Sequence, residues 1–202
     1  MPTQPAHRRD YGWRSSTVAG ALRLRPPVAQ ISLAEGQLLE RYAQDARTIV
    51  QIGVAEGGSA WHARRTMDPA GQMHLIDTYP RMLGANMSSI IARRLVGDVQ
   101  RGNVNWIRAR SDEVSTSWTE RIDLLFIDGD HAYDAVKRDW EEWSLHVADG
   151  GYVAFHDALV DAPWMDEGFG SARFVGELER EDPAWEIVDR ADSLAVFARR
   201  HP

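Results

Sequence analysis

The sequence predicts a doubly wound α/β fold, in which helices cover both faces of a mostly parallel sheet. Between residues 48 and 180, short apolar runs alternate with segments whose apolar residues recur at helical spacing. Such alternation is typical of right-handed βαβ units. Two final apolar runs, Trp185–Val188 and Leu194–Ala198, are joined by a short polar stretch and predict a C-terminal antiparallel hairpin.

The first element in chain order is an N-terminal arm over residues 1–30, which is rich in Pro, Arg and Ala. Pro26 and Pro27 end any helix that forms over residues 16–24. We expect this arm to pack on the domain, as a lid, or on a partner subunit. The domain itself, residues 31–202, begins with a helix over residues 33–45 that Ser32 is placed to cap.

The alternating part of the chain supplies the sheet and its covering helices. The run Ile122–Asp128 is almost entirely apolar, which predicts a central strand that is buried on both faces. The helix that follows places Val136, Trp140 and Trp143 on one side, as core or interface residues. The predicted strands are Thr48–Gly53, Gln72–Asp77, Val104–Arg110, Ile122–Asp128 and Gly151–His156, and the predicted helices are Ser59–Met67, Ser88–Val99, Tyr133–Val147 and Ala172–Arg180.

Composition excludes several classes of protein. A chain of 202 residues with 44% hydrophobic and 26% charged residues is long and apolar enough for one globular domain. A formal net charge of -7 argues against a nucleic-acid partner. No apolar run reaches the roughly 20 residues of a membrane span, and the first residues carry no apolar signal core. The absence of cysteine excludes disulfides and thiolate metal sites, and it makes the cytoplasm the expected location.

The first strand of the alternating region runs into a glycine-rich segment, G-V-A-E-G-G-S at residues 53–59, which leads into a helix. Glycine lets the backbone turn tightly and approach a ligand closely, and a helix N-terminus offers free N–H groups to ligand oxygens. The spacing is G-x-x-x-G-G rather than G-x-G-x-x-G. We predict a nucleotide-type cofactor site that includes Gly53, Glu56, Gly57 and Ser59, with a purely structural turn as the alternative.

Two further polar positions extend this predicted site. Asp77 ends the second strand, where a carboxylate can accept hydrogen bonds from both hydroxyls of a ribose, although it could also be a capping or solvated aspartate. Ser111 and Asp112 follow the third strand and could contact an adenine, but a turn explains them equally well. These signals fit NAD and S-adenosylmethionine alike, since both carry an adenosine ribose.

The densest set of reactive side chains is I-D-G-D-H-A-Y at residues 127–133, together with F-H-D at residues 155–157. Each segment follows a predicted strand, so Asp128, His156 and Asp157 are expected to face one small volume at the carboxyl edge of the sheet. Neighbouring carboxylates repel unless a cation lies between them. Carboxylate oxygens suit Mg²⁺, and an added imidazole also admits Mn²⁺. The alternative makes the aspartates helix caps.

His131 lies beside this expected metal site, and the imidazole of histidine is the usual general base for a hydroxyl group near neutral pH. A structural histidine is the alternative. Asp130 and Tyr133 flank it and are candidate substrate contacts, although Asp130 could instead cap the following helix. Trp164 lies in the loop that leaves the site and could wall the acceptor pocket with its flat ring, or simply anchor that loop.

Four segments of the chain resemble, in order, those of class I S-adenosylmethionine-dependent methyltransferases: IVQIGVAEGGSA, HLID, DLLFIDGDHAYDAVKRDW and DGGYVAFHD. They span about residues 48–157. More narrowly, they are similar to the group that contains the macrolide-sugar O-methyltransferases and the cephalosporin hydroxylase relatives. The resemblance implies a seven-stranded Rossmann-like sheet and a cofactor, S-adenosylmethionine, that is lined by Gly53, Gly57 and Ser59 and held at its ribose by Asp77.

The resemblance also implies roles at the second cluster. Asp128 and Asp157 would bind a divalent metal, usually Mg²⁺, and His131 would be the base. Two positions depart from the pattern: Gln51 stands where an acid is common, and His156 stands where a carboxylate is common. The second departure leaves the identity of the metal open, with Mn²⁺ as the other candidate and His156 as a possible ligand.

The expected activity is therefore metal-dependent O-methyl transfer to a small hydroxylated molecule. A sugar or oligosaccharide is the favoured acceptor, and a catechol-like or antibiotic acceptor is the alternative. An NAD-dependent oxidoreductase and a non-catalytic binding module on the same fold remain open. The arm and the 8 tryptophans predict a homodimer, and neither nucleic acid nor a membrane is an expected partner.

Overall fold

The structure is a computed structural model that describes residues 4–7, 17–79, 86–159 and 169–200. Its strands are β1 (Ala6–His7), β2 (Val28–Ala29), β3 (Thr48–Ile52), β4 (Gln72–Ile76), β5 (Asn103–Ile107), β6 (Ile122–Ile127), β7 (Val147–Phe155), β8 (Trp185–Ala191) and β9 (Leu194–Arg199). Its helices are α1 (Thr17–Ala21), α2 (Leu33–Tyr42), α3 (Gly58–Thr66), α4 (Met87–Gly97), α5 (Ser111–Ser115), α6 (Tyr133–Trp143) and α7 (Gly170–Glu181). None of the helices in these ranges is long and apolar enough to cross a membrane.

The main sheet has the strand order β5-β4-β3-β6-β7-β9-β8. The strands from β5 to β7 run parallel, and β9 is antiparallel to both β7 and β8. This arrangement confirms the predicted doubly wound sheet with a C-terminal antiparallel hairpin. Within this sheet the chain starts at β3, builds outward through β4 to β5, and then returns to place β6 on the other side of β3. A ligand crevice is expected where the strand order reverses in this way.

The central strand β6 is buried on both faces, as its apolar sequence predicts. Leu124 and Phe126 belong to the hydrophobic cluster beneath α2, α3 and α4, whereas Leu125 and Ile127 belong to the cluster beneath α6 and α7. The pleat of a strand sends alternate side chains to opposite faces, so one strand contributes to both clusters. Trp143 is completely buried in the second cluster, which makes it a core residue.

Two predicted boundaries are wrong around residues 143–151. Helix α6 ends at Trp143 and a 3-10 turn, Ser144–His146, leads directly into β7, so Val147 belongs to the strand and not to the helix. Gly150 and Gly151 lie inside β7 and do not begin it, and they interrupt its pairing with β6. Gly150 has a φ of +81°, and the register of β7 on β6 shifts opposite Ile122–Leu124. Because of this bulge, β7 continues through D-G-G at residues 149–151, a sequence that is typical of a turn.

The described part of the arm docks on the glycine-rich loop through a buried ion pair. The guanidinium of Arg25 donates hydrogen bonds of 2.9 and 2.5 Å to the two carboxylate oxygens of Glu56. The backbone N–H of Val28 donates to the same carboxylate at 2.9 Å. The side chains of Arg25 and Glu56 are only 7% and 6% exposed. Glu56, which the sequence suggested for the cofactor, is thus occupied in holding the arm.

Replacing Arg25 with methionine is expected to destabilise this docking by about 3 kcal/mol. That value is at the low end for a broken buried ion pair, because the arm can undock locally instead of leaving Glu56 buried and unpaired. Hydrogen exchange across residues 17–29, together with urea denaturation, would measure the effect. The matched control is Arg41→Met, because the pair of Arg41 with Asp189 is largely exposed and is worth less than about 1 kcal/mol. Equal losses in the two variants would contradict a docking role for Arg25.

Candidate functional site

A cavity of about 460 Å³ opens at the carboxyl edge of the sheet, where β3 and β6 lie side by side. Its wall combines the loop after β3, the ends of β4 and β6, and the first turn of α5. The predicted site residues that line it are Gly53, Asp77, Ser111, Asp128, Asp130 and His131. Parallel strands bring their carboxyl ends to one edge, so residues that are far apart in sequence converge here.

The glycines of the loop after β3 serve close packing of the backbone. Gly53 has a φ of +81°, and a Cβ added there would lie 2.0 Å from the backbone oxygen of Asp128. Gly57 precedes α3 with a φ of +85°, and a Cβ there would lie 3.0 Å from the Cα of Ala92 in α4. Only residues without a side chain fit these positions. The loop is therefore pressed against both β6 and α4, and Gly57 itself does not line the cavity.

Ser59 also faces inward rather than into the cavity. Its hydroxyl accepts a hydrogen bond of 2.8 Å from Nε2 of Gln51, which donates a second bond of 2.7 Å to the backbone oxygen of Gly53. Gln51 is 1% exposed. The residue that departs from the family pattern thus supports the loop from beneath, and a neutral amide can do so because it donates to two oxygens at once.

Asp77 lines the cavity and also fixes its wall. One carboxylate oxygen accepts the backbone N–H groups of Val54 and Ala55 at 2.9 and 3.1 Å, and the other accepts that of Tyr79 at 2.6 Å. These bonds tie the end of β4 to the loop after β3. A carboxylate has about four acceptor directions, so three backbone bonds leave capacity for a ligand hydroxyl.

The far end of the cavity contains residues that the sequence interpretation missed. Asp112 is not among the lining residues; it accepts two hydrogen bonds from Arg110, at 2.9 and 2.6 Å. Ser111 does line the cavity, and its hydroxyl donates to Oδ1 of Asp139 on α6. Asp139 is 4% exposed, and Arg138 beside it also lines the cavity. The signal for Asp139 was its helical spacing, because it lies three residues after buried Val136 and four before buried Trp143.

The environment of Asp139 favours its protonated form. Burial raises the pKa of this carboxyl to about 6, although the hydrogen bond from Ser111 and the nearby charge of Arg138 act in the opposite direction. In the unfolded chain the pKa returns to its ordinary value of 3.8. Between pH 4 and 6 the unfolded state therefore loses its proton first, so the free energy of unfolding falls as the pH rises through this window.

Asp139→Asn is expected to remove this loss of stability. The free energy of unfolding of the variant, minus that of the wild type, should be about 2–3 kcal/mol larger at pH 7.5 than at pH 4, since each pKa unit corresponds to about 1.4 kcal/mol. Urea denaturation of both proteins at the two pH values gives this difference. Asp149→Asn makes the same chemical change at an exposed position in β7 and is the matched control. A stability difference between wild type and Asp139→Asn that is the same at both pH values would contradict the prediction.

The second cluster assembles around the ring of His156, which is 4% exposed. Its Nδ1 donates a hydrogen bond of 2.9 Å to Oδ1 of Asp128 and lies 3.7 Å from Oδ2 of Asp157. Its Nε2 lies 3.6 Å from Oε2 of Glu35. The predicted convergence of Asp128, His156 and Asp157 is therefore observed. Glu35 is a third carboxylate that the sequence interpretation did not place here.

Glu35 reaches this cluster from the first turn of α2. It forms a capping box with Ser32, whose backbone N–H donates to Oε2 at 2.6 Å. Its other oxygen accepts the backbone N–H and the hydroxyl of Ser193 at 2.9 and 2.6 Å. The S-x-x-E spacing predicts the capping box. The contacts with Ser193 and His156 depend on how the β8–β9 turn packs against α2, which no local pattern contains.

The charges in this cluster support one another. Burial alone would raise the pKa of Glu35, but hydrogen bonding and attraction from His156, with bonds from Ser193 and Ser32, lower it to about 2. Burial alone would lower the pKa of His156, but the carboxylates of Asp128, Glu35 and Asp157 raise it well above its usual 6.5. A buried imidazolium is stable here because ionised oxygens surround it.

His131 lies at the edge of the cavity, with 37% of its side chain exposed. Its Nε2 is 3.9 Å from Oδ2 of Asp157, an ion-pair distance rather than a hydrogen bond, and its ring lies 5.5 Å from that of Phe169. Asp157 itself has a φ of +48°, a strained conformation for a residue with a side chain. Strain of this kind is concentrated at functional sites, so the position of Asp157 beside His131 is consistent with a role in chemistry.

The three candidate substrate residues have different positions. Asp130 lines the cavity and also accepts the backbone N–H of Ala132 at 3.0 Å. This bond closes a turn just before α6 and is not the helix cap left open above, because Ala132 is itself the N-cap residue. Tyr133 points toward α7, where its hydroxyl donates to Glu177 and Arg173 lies 4.6 Å above its ring. It is not among the cavity-lining residues. Trp164 lies outside the described residues.

The donor set at the second cluster does not suit the expected metal. Mg²⁺ requires oxygen ligands in a near-octahedral arrangement, whereas Nδ1 of His156 faces the carboxylates of both Asp128 and Asp157, at 2.9 and 3.7 Å. The nitrogen that faces both carboxylates is already engaged in a hydrogen bond with Asp128. Within the described residues, no three His, Asp or Glu side chains are arranged to hold a metal ion.

Comparisons with known proteins agree with the fold and the motifs. Residues 50–158 match the family model described as "Methyltransferase domain". A curated relative, "Uncharacterized protein R132" of Acanthamoeba polyphaga mimivirus, is 30% identical over 135 residues, which are 64% of this chain and 59% of the relative. The chain thus spans less than two thirds of the length of this relative.

Two solved structures share the fold. The O-methyltransferase from Bacillus cereus, in complex with SAH, superimposes with a TM-score of 0.64 at 17% identity and covers 95% of each chain. The O-methyltransferase TomG from Streptomyces achromogenes, involved in tomaymycin synthesis and in complex with SAM, gives 0.62 at 18% identity, over 92% of this chain and 88% of the other. The family model covers more than half of the present sequence and coincides with the segments that suggested the resemblance. The chain therefore belongs to the methyltransferase-domain family.

Proposed function

We propose that this chain transfers a methyl group from S-adenosylmethionine to a hydroxyl of a small acceptor. The observation that carries the proposal is a single cavity with Asp77 on one wall and the pair Asp128 and His131 on another. A ribose-binding carboxylate and a base are the groups that such a reaction needs. Membership of the methyltransferase-domain family and the fold shared with two O-methyltransferases in complex with SAH or SAM support it.

The cavity offers a consistent position for the cofactor. Asp77 has acceptor capacity for ribose hydroxyls, next to backbone of the loop after β3. Ser111 and Asp139 at the far end offer a hydroxyl and a carboxyl to an adenine. The methionine end would then lie toward Asp128, whose carboxylate attracts the positive sulfonium. The cofactor would lie over the switch point of the sheet, where the fold favours ligand binding.

The chemical step requires little of the protein beyond alignment and a base. S-adenosylmethionine supplies a methyl group that its sulfonium already activates. A ring nitrogen of His131 accepts the acceptor's hydroxyl proton while the oxygen–methyl bond forms and the methyl–sulfur bond breaks, with the electron pair staying on sulfur. Asp157 stabilises the resulting imidazolium from 3.9 Å. Alignment in such sites contributes several kcal/mol, up to roughly 7–11 in ideal cases.

The proposal also includes the class of the acceptor, the oligomeric state and the cellular location of the protein. A sugar or oligosaccharide is the favoured acceptor, from the resemblance to macrolide-sugar O-methyltransferases, and a catechol-like or antibiotic molecule is the alternative. The fold shared with TomG, which is involved in tomaymycin synthesis, supports a small acceptor. A homodimer and a cytoplasmic location remain predictions. Sedimentation that shows only a 22.8 kDa species at high concentration would contradict the dimer.

Calorimetry followed by a transfer assay tests the proposed reaction. S-adenosylhomocysteine should bind at one site per chain, and NADH should not bind; the reverse would favour an oxidoreductase. Methyl transfer from labelled S-adenosylmethionine to a panel of glycosides and phenols would then identify the acceptor class. Cofactor binding without transfer to any acceptor, and without any effect of substitution at His131, would favour a non-catalytic module.

A further inference from the structure

The ring of His156 is packed as the centre of an acidic shell. Asp128 and Asp157 approach one of its nitrogens, at 2.9 and 3.7 Å, and Glu35 approaches the other at 3.6 Å. The side chains of Glu35, His156 and Asp157 are 1%, 3% and 9% exposed, and that of Asp128 is 15% exposed. Three carboxylates directed at one enclosed point are the environment of a cation. Here a side chain of the protein occupies that point.

Neighbouring groups hold Glu35 and Asp157 in place. Glu35 is fixed by its capping box and by two hydrogen bonds from Ser193. The Ser193 hydroxyl also lies 3.3 Å from Oδ1 of Asp157, and the Ser171 hydroxyl donates to the backbone oxygen of Asp157. Moving the carboxylates of Glu35 and Asp157 onto a metal would break the contacts that Ser193 makes with both. The shell is therefore built for the ring, which needs longer contacts than the 2.0–2.6 Å that metal–oxygen bonds require.

We propose that the imidazole of His156 takes the position of the divalent ion between Asp128 and Asp157, and that this site binds neither Mg²⁺ nor Mn²⁺. The absence of a metal does not depend on the proposed methyl transfer, but the role of the ring does. In that reaction the ring is a positioning residue, which orients Asp128 toward the cavity and keeps Asp157 beside His131. It replaces the expectation of a metal ligand at His156 and explains why the sequence departs from the family pattern at this residue.

Titration of the 202-residue chain with Mn²⁺, followed by electron paramagnetic resonance of the free ion, tests the proposal without any assay of methyl transfer. The wild type should leave the free Mn²⁺ signal undiminished up to about millimolar concentration. His156→Asp supplies an oxygen donor and removes the imidazole ring, so we expect one Mn²⁺ site with at least about tenfold higher affinity than the wild type. His156→Asn supplies an oxygen without adding charge and should show a smaller gain. Asp149→Asn should match the wild type.

Each outcome of this titration decides the proposal. Stoichiometric Mn²⁺ binding by the wild type, lost in Asp128→Asn, would overturn it. Folded His156→Asp and His156→Asn proteins with no gain over the wild type would overturn it as well, with circular dichroism and S-adenosylhomocysteine binding as the checks of folding. If the extra acid prevents His156→Asp from folding, the wild-type and His156→Asn titrations decide. Methyl transfer that is unchanged by EDTA in the wild type would support the proposal independently.

Discussion

Replacing His131 with glutamine is expected to lower kcat for methyl transfer by about 10²–10⁴-fold, because glutamine cannot accept the proton of the acceptor hydroxyl. Binding of S-adenosylhomocysteine should change by less than about twofold, since no proton is transferred when the cofactor product binds. Steady-state assays with the acceptor found in the panel, together with calorimetry, separate the two quantities. A loss confined to kcat with binding preserved is the signature of a group that acts in the chemical step.

The control for this variant is His146→Gln. His146 lies in the 3-10 turn after α6, with its ring 6.2 Å from that of Trp143, and it is not among the cavity-lining residues. The same chemical change there should leave kcat within about twofold. A His131→Gln variant with wild-type kcat would show that the base lies elsewhere. A matching loss in His146→Gln would show that the effect of the substitution is not local to the cavity.

Gly53→Ala is expected to destabilise the protein by more than about 4 kcal/mol, a loss that single substitutions rarely cause. The new Cβ would lie 2.0 Å from the backbone oxygen of Asp128 and 2.5 Å from its carbonyl carbon. Neither atom can move without shifting β3 relative to β6. The positive φ of Gly53 adds about 1–2 kcal/mol of backbone strain for a residue with a side chain.

Two other glycines separate these contributions. Gly150 has the same φ of +81° but nothing within 4 Å of an added Cβ, so Gly150→Ala should cost only the strain of about 1–2 kcal/mol. Gly176 lies inside α7 with open space around it, and Gly176→Ala should stabilise the helix by up to about 1 kcal/mol. Urea denaturation of the three variants gives the series. A Gly53→Ala protein that is as stable as Gly150→Ala would contradict the proposed contact between the loop and β6.

The sequence could predict which residues of the site follow directly after a strand. Gly53, Asp77 and Asp128 follow parallel strands, and the topology alone brings them to one edge. The direction of individual side chains could not be predicted in the same way. Glu56 lies within the motif but pairs with Arg25 of the arm, and Tyr133 turns toward α7, because these partners come from distant segments.

The same limit applies to the residues that were missed. Asp139 shares a helix face with core residues, and its burial is readable from that spacing, but its approach to Ser111 depends on how α6 packs against α5. Glu35 is predicted as a capping residue, and its second role depends on the turn that contains Ser193. The metal expectation depended on the order of carboxylates along the chain. It placed His156 beside Asp128 and Asp157 as a possible ligand, but it could not predict that one ring nitrogen, Nδ1, would face both carboxylates directly.

The central claim is that one cavity binds the cofactor at Asp77 and presents its reactive end to Asp128 and His131. A crystal structure of the protein soaked with S-adenosylhomocysteine tests this claim most directly. We predict ribose hydroxyls within hydrogen-bond distance of the Asp77 carboxylate, an adenine beside Ser111, and a sulfur that faces His131 across space for an acceptor oxygen. The same ligand bound outside this cavity, or bound with its sulfur directed away from His131, would contradict the account.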